Sequence, residues 1–67
     1  MNLEFLKTLE CPLTGQRFVD PVIFASTGVT YEREAIQKWI NDNSNETNYV
    51  LIPNTPMRNI VDALANA

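Results

Sequence analysis

Cys11 is the residue here most capable of covalent or metal chemistry, and no histidine exists in the 67 residues to serve it as base or co-ligand. A reactive thiolate needs a basic or electropositive neighbour, and histidine is the usual one. Without it, Cys11 reads as a small buried hydrophobe rather than a nucleophile. The same census closes off a tetrahedral Cys/His zinc site, and a lone cysteine makes no intramolecular disulfide. Neither a glycine-rich phosphate loop nor a basic stripe is present, and the formal charge is −3. Nucleic acid and anionic membrane are therefore poor partners. The sequence thus predicts no catalytic residue, no metal and no cofactor, and leaves packing, polar cross-links and association to hold the chain together and give it work.

Length makes those cross-links matter. Residues 1–67 read as one domain, and a core of this size supplies only about 3–5 kcal/mol net, so small domains commonly add a staple. No stretch approaches the roughly 20 apolar residues that span a bilayer. The opening Met1-Asn-Leu-Glu-Phe-Leu-Lys7 alternates polarity too quickly for a signal sequence. With one free cysteine, the expectation is a reducing setting inside the cell, cytoplasmic or nuclear.

The elements that must position any site centre on Asp20–Ile40. Val22–Ala25 reads as a short strand, Ser26-Thr27-Gly28 as a turn, and Val29-Thr30 as a second extended piece leading into an amphipathic helix. On that helix Ile36, Trp39 and Ile40 share one face with Ala35 at its edge, while Glu34, Gln37 and Lys38 face water. Thr30 is the expected cap, with Glu32 and Glu34 near the positive end of the helix. Upstream, Leu3, Phe5, Leu6 and Leu9 form the apolar edge of a helical turn. Cys11–Gln16 is a loop shaped by Pro12 and Gly15. Downstream, Asn41–Asn48 lacks apolar side chains and reads as a solvated loop, followed by an extended Tyr49–Ile52. Thr55 as cap and Pro56 at the first helical position then start a last helix whose buried stripe is Met57, Ile60, Val61 and Leu64. Tyr31 and Trp39 belong, on this reading, to the scaffold as core and rim.

Asp20-Pro-Val-Ile followed by Gly28-Val-Thr-Tyr-Glu-Arg-Glu-Ala-Ile-x-x-Trp-Ile40 resembles the central signature of the U-box family, the zinc-free relatives of RING ubiquitin ligases. Cys11-Pro12-Leu13 resembles the family's first loop, and Leu51-Ile-Pro-Asn-Thr-Pro-Met57 its step into the last helix. The resemblance covers about Leu9 to Ala65. It implies an α+β fold of the small RING/U-box type: a β-hairpin, a central helix, a C-terminal helix and two surface loops, without metal. It also implies that Leu13, with Pro12 and Thr14, contacts a ubiquitin-conjugating enzyme. Asp20, Tyr31, Glu32 and Arg33, with Asn54, match positions where the family uses polar cross-links in place of zinc. Arg33 suits that task because its planar fork can hold a carboxylate and a backbone carbonyl together.

Two departures split the functional expectation. The family commonly offers a second apolar side chain two positions after the aliphatic one, where this chain has Gly15. Its second loop usually carries a Pro-centred patch and a cation, where this chain has the short, polar Asn41–Asn48 with two acids, Asp42 and Glu46. The first reading is a ubiquitin-ligase module that docks a loaded conjugating enzyme and positions it near a protein substrate held elsewhere. Such a module has no separate place to hold a substrate, so the expectation is a piece of a longer chain. The alternative is a degenerate U-box that keeps the fold and binds a substrate or partner. The substrate and the oligomeric state are not legible.

Overall fold

The computed structural model describes residues 3–43 and 48–66. Six elements follow in order: α1 (Leu3–Lys7), β1 (Pro21–Phe24), β2 (Val29–Glu32), α2 (Arg33–Asn43), β3 (Leu51–Pro53) and α3 (Thr55–Ala65). The strands form an antiparallel sheet in the order β2-β1-β3, and this α+β arrangement has the hairpin, central helix and closing helix that the sequence implies. Gly28 turns the hairpin at φ +72°, and its amide donates to the Phe24 carbonyl at 2.8 Å. A positive φ of this size suits a residue without a Cβ.

The hairpin runs two residues further than the sequence suggests. Tyr31 pairs with Val22 and Glu32 with Pro21, because an aromatic side chain opposite a β-branched one favours the ladder over a first helical turn. Thr30 is therefore a strand residue and not a helix cap, and Glu32 precedes the helix. Helix α2 starts at Arg33, whose amide donates to the Asp20 carbonyl at 3.1 Å. At its other end α2 continues through Asn43, so Asn41–Asn43 are helical rather than loop. The Asn43 carboxamide nitrogen donates to the Trp39 carbonyl one turn earlier at 3.0 Å, folding the side chain back along the helix. Residues 44–47 of the expected loop lie outside the described residues.

The cap of α3 is Asn54, not Thr55. Its side-chain oxygen accepts from the Met57 amide at 3.1 Å, which places Pro56 second in the helix. The first turn has no intrahelical use for that missing amide hydrogen, so the proline is tolerated there too.

The interior consists of two clusters. Leu9, Cys11, Phe18 and Val61 form one, with Leu6 and Met57 packed against it. Val22, Phe24, Ile36 and Ile40 form the other, with Tyr49 and Leu51 against it. The ring of Tyr31 packs on both. The expected buried stripe of α3 shrinks to Val61 and part of Met57; Ile60 and Leu64 remain 46% and 40% exposed. The cluster under α3 is small, and one turn of helix covers it. Trp39 also departs from the expected buried face at 44% exposed, because Ile36 and Ile40, one turn apart, take the centre of the contact and leave position 39 at its flank. In α1, Leu6 packs inward while Phe5 is exposed, and the side chain of Leu3 lies outside the described residues. No helix is long and apolar enough to cross a membrane, among the described residues.

Candidate functional site

The first loop is built to hold its tip outward. Pro12 and Gly15 break regular structure, and the chain closes on itself: Cys11 N donates to Gln16 O at 2.8 Å, and Gly15 N to Cys11 O at 2.8 Å. Gly15 turns at φ +70°. The Thr14 hydroxyl oxygen accepts from Gln16 N at 3.1 Å. At the root, the backbones of Glu10 and Arg17 pair as an isolated antiparallel β-bridge, and Phe18 N donates to Leu9 O at 3.0 Å. Cys11 is 1% exposed and its sulfur accepts from the Glu32 amide at 3.2 Å, tying the loop to the end of β2. So anchored, the loop presents Leu13 at its surface, 41% exposed.

Across from Leu13 stands the flank of α2. Residues three, four, seven and eight apart recur along one side of a helix, and Ala35, Lys38, Trp39, Asp42 and Asn43 line an open groove of about 340 Å³ whose other wall is Leu13 and Thr14. A smaller cleft of about 160 Å³ adjoins it, where Leu13 and Trp39 meet Phe24, Thr27, Tyr31 and Ile36. Pro12 is exposed beside Leu13 but does not line the groove. Sequence reasoning placed Leu13 and Thr14 in a site and left Trp39 out of it. The signal for Trp39 was there: a large aromatic at the edge of an apolar stripe, of a type that dominates binding hot spots.

Polar contacts cross-link the elements that carry the groove. Glu32 has one carboxylate oxygen on the Val19 amide at 2.8 Å and the other on the Asp20 amide at 2.7 Å. Arg33 Nε donates to Asp20 Oδ2 at 2.7 Å, in a half-exposed pair. No backbone carbonyl shares the Arg33 fork among the described residues. Asn54 works three ways: its amide donates to Pro21 O at 2.9 Å, its carboxamide nitrogen to Thr30 Oγ1 at 3.0 Å, and its oxygen caps α3. Tyr31 holds the clusters together through its ring, and no hydrogen bond of its hydroxyl occurs among the described residues.

Among the described residues no group of three or more His, Cys, Asp or Glu comes together as a metal site. What this surface can do is bind: two half-exposed apolar side chains face each other across a groove, with one cation and one carboxylate on its helical wall.

A family model described as the U-box domain matches residues 7–66. The putative E3 ubiquitin-protein ligase LIN-1 of Lotus japonicus is 59% identical over 34 residues, which is 51% of this chain and 2% of that protein. The putative E3 ubiquitin-protein ligase LIN of Medicago truncatula is similar to the same extent. U-box domain-containing protein 21 of Arabidopsis thaliana is 40% identical over 60 residues, covering 78% of this chain and 14% of that protein. The chain thus spans a small fraction of the length of these relatives.

Proposed function

We propose that this chain, which belongs to the U-box family, is the part of a ubiquitin-protein ligase that docks a ubiquitin-loaded conjugating enzyme. Leu13 and Trp39 facing each other across the groove carry this reading. An apolar loop of the conjugating enzyme seated between them would exchange two half-wet side chains for a dry contact, the arrangement in which single anchors contribute most of an interface's energy. The chain contributes no nucleophile, acid, base or metal to the transfer. The thioester belongs to the conjugating enzyme, and the ligase module holds it in a reactive geometry near a protein substrate bound elsewhere. Such work belongs in the cytoplasm or nucleus.

Trp39 also bears on the missing second anchor. Gly15 offers no side chain, but the indole on the opposite wall supplies apolar surface from α2 instead. The test is an NMR titration of the chain with a panel of conjugating enzymes. The reading expects shifts clustered at Leu13, Thr14 and the Trp39 indole, and loss of ubiquitin chain formation in Leu13→Ala. Absence of shifts with every enzyme would leave the domain as a degenerate U-box that binds a substrate or partner by another surface.

A further inference from the structure

We propose that Lys38 and Asp42 form a charge register that selects among conjugating enzymes, favouring one whose docking loop sets a cation against Asp42 and a carboxylate against Lys38. This rests on the docking reading above and adds to it the chemistry of the preferred partner.

Both side chains are exposed and both line the groove with Leu13 and Trp39. They lie one turn apart on α2, so their Cβ atoms are about 5–6 Å from each other. Among the described residues, the opposite wall contributes only uncharged side chains, Leu13 and Thr14. Lys38 and Asp42 are thus the formal charges that the described residues bring to the groove. They do not neutralise each other: the ion pairs among the described residues are Arg33–Asp20 and Arg58–Asp62. The order is also the poorer one, since a cation one turn before an acid pairs less well than the reverse.

Asp42 is moreover in the wrong place for its own helix. It sits in the last turn of α2, which carries no basic residue. An acid there opposes the negative end of the helix dipole. A local rule broken with no compensating contact on the same element points to a contact made outside it. A cation brought by a partner would complement the carboxylate and the helix end together. Two opposite charges beside two apolar anchors fit a side-chain pair on a protein loop; a simple ion would satisfy one and repel the other. Charges at the rim of such an interface act mainly on association rate, salt dependence and choice of partner.

The experiment titrates the wild-type chain, Asp42→Lys, and the double variant Lys38→Glu/Asp42→Lys with conjugating enzymes whose docking loops differ in charge. It is run at low and high salt and followed by NMR and calorimetry. Asp42→Lys is expected to weaken the preferred enzyme about threefold and to flatten its salt dependence, while shifts still appear at Leu13 and Trp39. The double variant is expected to prefer an enzyme of the opposite charge arrangement. The Asp42→Asn variant should melt no lower than wild type. An unchanged ranking of enzymes and unchanged salt slopes in the double variant would overturn the register and leave docking intact. Failure of the wild type to bind any enzyme would overturn both, and Leu13→Ala separates the two by weakening every enzyme alike.

Discussion

Replacing Glu32 with Ala should destabilise the domain more than breaking the close Arg33–Asp20 ion pair. The Glu32 carboxylate receives two backbone amides, from Val19 at 2.8 Å and Asp20 at 2.7 Å, and so fixes the segment that leads from the first loop into β1. A hydrogen bond to a charged group contributes about 1.5–3 kcal/mol. The two do not count equally: Val19 is exposed and its amide can return to water, whereas the Asp20 bond is partly buried. We therefore expect a loss of about 2–3 kcal/mol. A chain of this length has roughly 3–5 kcal/mol to lose, so most of its stability goes. With a urea slope near 1 kcal/mol/M for so small a domain, the midpoint should fall by about 2–3 M at constant slope. Glu32→Gln should recover little, because its single carbonyl oxygen can serve one amide and its NH₂ group meets the other donor. The comparison is Arg33→Gln. Its pair with Asp20 is just as short, but the two side chains are 35% and 44% exposed, so the loss should stay within about 1 kcal/mol and shrink in salt. If urea unfolding ranks Arg33→Gln as the more damaging change, or finds Glu32→Gln indistinguishable from wild type, the reasoning about shared amides is wrong.

Asn54→Ala should cost about 1–2 kcal/mol in thermal unfolding, and Thr30→Val should add little on top of it, since both remove the same bond between the cap and β2. Gly28→Ala should cost about 1 kcal/mol through its left-handed backbone alone, because nothing lies within 4 Å of the added carbon. Ile36→Ala, in the second cluster, should cost about 2–4 kcal/mol. Ile60→Ser and Leu64→Ser should each cost no more than about 0.5 kcal/mol in thermal unfolding, being exposed on α3. Leu13→Ala and Trp39→Ala should likewise spare the fold, while each weakens conjugating-enzyme binding about thirtyfold, about 2 kcal/mol by calorimetry.

The elements were legible in the sequence where two signals agreed. The Thr27-Gly28 turn between β-branched residues gave the hairpin, and Ile36 with Ile40 gave the buried side of α2. The fold class followed from those residues and from the family resemblance. Boundaries were less legible, because capping signals compete. Thr30 and Thr55 are each good caps by type, but Thr30 was claimed by the strand ladder and Thr55 was pre-empted by an asparagine one residue earlier. Periodicity overcounted burial for a related reason. It reports which residues share a face and says nothing of how wide the surface beneath them is, so Ile60, Leu64 and Trp39 were assigned to an interior too small to take them. That error hid Trp39 from the candidate groove. The partners of Glu32 lay beyond sequence altogether, since nothing local says that its carboxylate reaches the amides of Val19 and Asp20.

The division of the interior into two clusters has a mechanical meaning. The closing helix stands on Leu9, Cys11, Phe18 and Val61, while the sheet and the inner side of the central helix stand on Val22, Phe24, Ile36 and Ile40. Tyr31 is the rivet between the two compartments, touching both. Strain arriving through the C-terminal helix thus enters first the compartment in which Cys11 anchors the Leu13 loop and against which Ala35 of the groove packs. A pull on the last helix therefore reaches the Leu13 jaw of the groove before the Trp39 jaw.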